Sequence, residues 1–149
     1  MTETTAARSR NMAAIRAKDT GPEKLLRSAI FARGFRFRIH VRGLPGSPDL
    51  VFPKFKAAVF VHGCFWHRHI GCRFTTMPKS NAAFWAKKFS TNQQRDITAR
   101  KRLHDLGWRI GVVWECAIRR SPDAAAAALA TWLLAGGSPD TDIGADLLA

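Results

Sequence analysis

All three cysteines of this 149-residue chain fall in two places. Cys64 and Cys72 belong to one compact run, Val61-His62-Gly63-Cys64-Phe65-Trp66-His67-Arg68-His69-Ile70-Gly71-Cys72, and Cys116 follows in Val113-Trp114-Glu115-Cys116. The run also carries three imidazoles, on His62, His67 and His69. Tetrahedral zinc takes four nitrogen or sulfur ligands, and a local cysteine pair, one histidine and one distant cysteine supply such a set. The preferred set is Cys64, His69, Cys72 and Cys116; spacing alone leaves His67 open as the histidine ligand. A four-ligand site of this kind is closed, and so structural rather than catalytic. Three thiols cannot all pair as disulfides, which favours metal binding in a reducing compartment.

A second group of residues suggests different chemistry. Asp49 follows Pro48 at the start of the apolar run Asp49-Leu50-Val51-Phe52, and the next run ends in Phe60-Val61-His62. If the two runs are neighbouring strands, Asp49 and His62 share one end of a sheet, the layout of many metal-dependent nucleases. Aspartate is a hard oxygen ligand suited to Mg2+. An imidazole as a residue type can move a proton near neutrality, and His62 and His67 are left over from the zinc set. Each signal has a plainer reading, since an aspartate after proline is often a turn residue and a lone histidine is often structural. Glu23 is also double-valued: it fits a capping box, and a carboxylate on the first helix could reach the metal site. The aromatics Phe65, Trp66, Phe84 and Trp85 alternate with Arg68, Arg73, Lys79, Lys87 and Lys88. Apolar wedges of this kind unstack base pairs and deform a duplex. Phe65 and Trp66, adjacent in a turn, are expected to stay out of an ordinary core, whereas Phe84 and Trp85 read more simply as core.

The charge points to a polyanionic partner. The net charge is +13 and the sequence pI about 11.1, the balance of a chain that displaces counterions from nucleic acid. All 24 Lys and Arg lie at or before Arg120, while Asp123, Asp140, Asp142 and Asp146 follow it. The C-terminal part is therefore expected to support the structure and not to face DNA. The apolar fraction of 46% suffices for one core. No apolar leader and no membrane-length apolar stretch is found, which leads to the expectation of a cytoplasmic, intracellular protein.

The elements that must position these residues follow from pattern. Residues 1–19 read as a basic arm, with Met12 and Ile15 among Arg8, Arg10, Arg16 and Lys18, ordering on a partner. Thr20-Gly21-Pro22-Glu23 opens a helix whose apolar face is Leu25, Leu26, Ala29 and Ile30, ending at Gly34. The alternation in 36–41 predicts a half-exposed strand, and residues 49–52 and 57–61 predict buried ones. Residues 62–80 are irregular. Two helices are predicted, from Asn81 to about Lys88 and from Gln93 to about Leu106, with Gly107 as cap. Residues 108–114 form a strand, and Ser121-Pro122 starts an alanine-rich helix ending near Leu134. Residues 138–149 read as a tail.

Several of these residues resemble the very short patch repair DNA mismatch endonucleases. The resemblance covers about residues 8–120 and is carried in order by Asn11-Met12, Thr20-x-x-Glu23, Pro48-Asp49, Phe60-Val61-His62-Gly63-Cys64-Phe65-Trp66-His67, Phe84-Trp85, Asn92, Arg95-Asp96, Leu106-Gly107-Trp108-Arg109 and Trp114-Glu115-Cys116. It implies a restriction-endonuclease-like α/β fold, a mixed central sheet flanked by helices with a structural zinc site. An N-terminal arm, an endonuclease domain over 20–137 and a tail would make up the chain. The implied activity is strand-specific nicking of duplex DNA on the 5′ side of the mismatched T in a T·G pair left by deamination of 5-methylcytosine. By the same likeness, Asp49 and the carbonyl of Val61 would bind catalytic Mg2+. His67 would be the general base, supported by His62 and Glu23, and Cys64, His69, Cys72 and Cys116 would hold structural Zn2+. Phe65, Trp66 and Trp85 would wedge into one groove and Met12 and Ile15 into the other, with Lys88 and Asn92 in recognition. An asymmetric T·G site suits a monomer, with repair-pathway proteins as further partners. The rival readings are a non-catalytic zinc-stabilised DNA-binding module, and a hydrolase with an open zinc site on Cys64, His67 and Cys72.

Overall fold

The computed structural model describes residues 20–148, so the expected basic arm with Met12 and Ile15 lies outside the described residues. Helix α1 spans Gly21–Ala32. Thr20 caps it: its backbone is extended, its hydroxyl oxygen accepts from the Glu23 N–H, and Pro22 occupies the first turn, where a missing N–H costs nothing. Leu26, Ala29 and Ile30 are buried, and α1 packs on a later helix, Pro122–Ala135. Leu25, expected on the same face, is 50% exposed because it projects about 100° round the helix from Leu26.

Four strands form one sheet in the order β1(Leu50–Phe52), β2(Ala57–His62), β3(Arg109–Trp114), β4(Asp140–Ile143). The β1–β2 pair is antiparallel, and β2–β3 and β3–β4 are parallel. The mixed sheet flanked by helices is the restriction-endonuclease-like α/β architecture expected. Helices cover both faces, so the central strands carry apolar residues at consecutive positions. Val59 and Val113 meet Leu129 and Leu133 on one face, and Ala58 and Ile110 meet Leu103 on the other.

Three expectations need correction. The strand over 36–41 reduces to a single bridge between Arg38 and Val51. The backbone turns left-handed at His40 (φ 56°), so the alternation cannot continue as a ladder. The two helices over 81–106 are one, α3(Ala82–Asp105). The intervening Phe89-Ser90-Thr91-Asn92 contains no glycine or proline, and the propensity cost of Ser, Thr and Asn is only tenths of a kcal/mol each. Phe89, buried, adds the packing that carries the helix through. Gly107 (φ 86°) ends it as expected. The tail is no tail: Asp140–Ile143 pairs with β3, with Ile143 buried, and a 3-10 turn follows over Ala145–Leu148. Between β3 and the alanine-rich helix α5(Pro122–Ala135), whose cap Ser121 accepts from the Ala124 N–H, lies a further short helix, α4(Glu115–Arg120).

Candidate active site

The register of the parallel strands builds the first site. His62 on β2 is level with Trp114 on β3. Two residues on, each chain has left the sheet, and Cys64 and Cys116 emerge side by side, with the Cys116 N–H donating to Cys64 Sγ at 3.4 Å. One turn of helix, α2(Cys64–His67), follows. It stops at Arg68, which is left-handed (φ 55°), and the chain doubles back so that the His69 N–H donates to the Cys64 carbonyl at 3.0 Å. Thr75 Oγ1 donates to the His69 carbonyl at 2.7 Å. The result gathers the ligand atoms of Cys64, His69, Cys72 and Cys116 within 4.8 Å of one another. The three thiols are unpaired as disulfides. Burial pushes the Cys64 thiol up, with Cys116 close by. A cation among these sulfurs would reverse that preference, as a thiolate ligand requires. Two thiols from the run, a third from β3's end and one imidazole in mutual contact fit a four-coordinate N/S metal site. His67 is not part of it, which weighs against the open site on Cys64, His67 and Cys72.

His67 turns instead into a second site. Its ring stacks on His62 (centroids 3.8 Å apart, planes 5° apart), and its Nδ1 lies 2.6 Å from Asp96 Oδ2 on α3. His62, His67 and Asp96 line a cleft of about 830 Å3 together with Glu23, Asp49 and Val61. The antiparallel β1–β2 pairing explains Asp49: it precedes Leu50, its N–H donates to the Val59 carbonyl at 2.9 Å, and its Oδ2 accepts from the Val61 N–H at 2.7 Å. Burial raises its carboxyl to about 7, and the Glu23 carboxylate beside it adds to the shift; the Val61 N–H and Arg27 oppose it. Glu23, only 5% exposed, is held by the Thr20 hydroxyl and by Arg27 Nη2 at 3.1 Å from its Oε2. A buried Asp49 carboxyl whose charge the neighbouring Glu23 carboxylate disfavours is a donor set that a hard divalent cation relieves. Burial holds the His62 imidazole well below the usual histidine range, with His67 and Arg100 adding. Its stacked position therefore suits a neutral ring.

The aromatics are placed differently from the expectation. Trp66 and Trp85 are each 7% exposed and pack with Phe65 and Phe89. A single helical turn separates successive side chains by about 100°, so Trp66 points at α3 while Phe65 stays half-buried over it. Phe84, by contrast, is 58% exposed. Arg68 lies over the Phe89 ring at 4.0 Å and donates to the Phe65 and Thr76 carbonyls. Asn92 lines the cleft, and Lys88 lies on α3 outside it. Sequence reasoning gave no role to Asp96, Phe89 or Trp114. Asp96 stands 29 residues from its partner, and only the adjacent Arg95-Asp96 pair in the resemblance marked the position.

Comparison with known proteins places the chain in a family. A family model described as DNA mismatch endonuclease Vsr matches residues 2–73. The type II nicking enzyme V.XorIIP of Xanthomonas oryzae pv. oryzae is 48% identical over 105 residues, 70% of this chain and 76% of that protein. DNA mismatch endonuclease Vsr of Escherichia coli is 44% identical over 114 residues, 76% of this chain and 72% of that protein. The type II nicking enzyme V.NmeAIP of Neisseria meningitidis is 43% identical over 116 residues, covering 78% and 82% of the two chains. The chain belongs to the Vsr family of DNA mismatch endonucleases.

Proposed function

We propose that this protein is a DNA mismatch endonuclease of very short patch repair, nicking one strand of duplex DNA 5′ to the mismatched T of a T·G pair. The observation that carries the reading is the cleft that gathers Glu23, Asp49, Val61, His62 and His67, in a chain of the Vsr family. Asp49 and the Val61 carbonyl would hold Mg2+, which supplies charge neutralisation and Lewis-acid polarisation of the scissile phosphate when bound. His67 takes the proton of the attacking water at Nε2, because Asp96 engages Nδ1. His62, neutral and stacked on it, fixes the ring plane, and Glu23 positions Asp49. Arg95 and Arg100, which line the same cleft, complement the phosphate charge. Cys64, His69, Cys72 and Cys116 would hold Zn2+, binding the ends of β2 and β3 together. The ion leaves the chemistry to the cleft.

Phe65, Trp66 and Trp85 would exchange their mutual packing for base stacking, with Met12 and Ile15 entering the opposite groove and Lys88 and Asn92 reading the site. A T·G wobble is easier to unstack than a Watson–Crick pair, so the deformation energy itself discriminates. An asymmetric mismatch needs one active site, which favours a monomer acting on DNA inside the cell. Among the described residues no helix is long and apolar enough to cross a membrane.

The test is nicking of a labelled duplex carrying one T·G mismatch in a CT(A/T)GG context, against the matched T·A duplex. The reading expects cutting of the T strand alone, dependent on Mg2+. Equal cutting of both duplexes, or none in any mismatch context despite binding, would overturn it.

A further inference from the structure

The metal cluster and the catalytic cleft are joined by a continuous column of rings. The His69 ring stacks on the Trp114 indole (centroids 4.1 Å, planes 6° apart). Trp114 meets His62 edge to face at 5.2 Å and 75°. His62 stacks on His67, which Asp96 holds by Nδ1. The column is pinned at one internal point: the Trp114 indole N–H donates to Asp142 Oδ1. Asp142 belongs to β4, the acidic segment that lies beyond every basic residue of the chain.

The same segment closes over the metal cluster. Parallel pairing sets Ile143 level with Val113, so Gly144 and Ala145 run beside Trp114 and Glu115. The Ala145 N–H donates to Cys116 Sγ at 3.4 Å. Gly144 lies so near His69 that an added Cβ would stand 2.9 Å from its Cε1. At the other end of β4, Asp140 Oδ1 lies 2.7 Å from His104 Nε2 on α3, the helix that also carries Asp96.

We propose that Asp142, acting through Trp114, is a positioning residue for the His62–His67 pair, so that β4 sets the geometry of the catalytic cleft. This rests on the endonuclease reading above. A general base works only within about half an ångström and 10–20° of its productive pose, and a displacement near 1 Å costs on the order of a hundredfold. Asp96 fixes one edge of His67 but not the tilt of its ring. That tilt is set by the face of His62, which is 8% exposed and bounded by Trp114 and Phe60. Without Asp142 the indole loses its acceptor, and His62, which rests edge to face against it, shifts together with His67, while His69 stays tied to the cluster through its backbone and its cysteine neighbours.

The experiment uses the full chain loaded with its metals and compares wild type with Asp142→Ala, Asp142→Asn, Trp114→Phe and the double variant Trp114→Phe/Asp142→Ala. Single-turnover nicking at saturating duplex, duplex affinity, cluster metal content and imidazole NMR shifts of assigned His62 and His67 are read together. Asp142→Ala should slow nicking about tenfold or more and move both imidazole shifts, with affinity within about twofold and metal content unchanged. Asp142→Asn, whose amide oxygen still accepts from the indole, should recover most of the rate. The double variant should be no slower than the worse single one, since both remove one interaction. Additive losses, unmoved imidazole shifts, or a rate that falls only in step with metal content or affinity would overturn the proposal. Wild type that fails to nick would sink the endonuclease reading instead, and the shift measurements would still decide whether Asp142 positions the histidines.

Discussion

Removing the Asp96 carboxylate is the sharpest perturbation of the cleft that leaves its proposed metal donors untouched. Asp96 Oδ2 lies 2.6 Å from His67 Nδ1, and both side chains are partly open, at 32% and 26% exposure. A hydrogen bond to a charged partner contributes about 1.5–3 kcal/mol in general. Partial exposure screens the charge, so about 1–2 kcal/mol of orientation and transition-state stabilisation is the working figure here. At 1.4 kcal/mol per decade, Asp96→Asn should slow single-turnover nicking about five- to thirtyfold. Asp96→Ala should slow it at least as much, since it also frees the imidazole to rotate. The asparagine keeps an acceptor of the same shape but loses the charge that favours a proton arriving at Nε2. The assay is single-turnover nicking at saturating duplex, with affinity measured separately. A full rate in Asp96→Ala, or a loss confined to affinity, would refute the assignment of His67 as the oriented base.

Three further outcomes follow from the same geometry. The Asp49 carboxyl, raised to about 7 from 3.8, holds its proton better in the folded than in the unfolded chain. Stability of the metal-free protein should thus fall between about pH 4 and 7, by at most about 4 kcal/mol, and level off above; thermal melts of Asp49→Asn should lack that slope, and a slope of the opposite sign would contradict the burial argument. Cys116→Ser should lose the cluster's metal and lower the melting temperature, read by metal analysis and calorimetry, because the ligand from β3's end closes the set. Gly46, left-handed at φ 76°, would place a Cβ 2.6 Å from that of Ala99 on α3. Gly46→Ala should therefore cost about 1–3 kcal/mol in denaturant titration.

The two sites were legible in the sequence to different depths. The four residues of the candidate metal cluster were readable as types and spacing, but the choice of His69 over His67 depends on one left-handed residue, Arg68, that reverses the chain after a single helical turn. No spacing rule predicts that reversal. Asp49 and His62 were placed at one sheet end because both flank apolar runs, and the antiparallel β1–β2 pairing is what makes that inference hold. Asp96 and Trp114 were invisible as site residues, since their partners come from distant register and helix placement. The missed β4 is a case of tertiary override: Asp140-Thr141-Asp142-Ile143 has little strand propensity, and pairing with β3, the His104 contact and burial of Ile143 order it. The aromatic pair was misjudged because a turn was assumed where a helical turn forms, and α3, unbroken through Phe89, provides the surface that Trp66 covers.

The most direct test of the account is strand-resolved nicking of a T·G duplex with Mg2+ by wild type and Asp49→Ala, with cluster metal and duplex binding measured on the same samples. The account predicts a single nick in the T strand by wild type, none by the variant, and metal content and binding retained. Undiminished nicking by Asp49→Ala would show that the chemistry lies elsewhere than in the cleft built on β1 and β2.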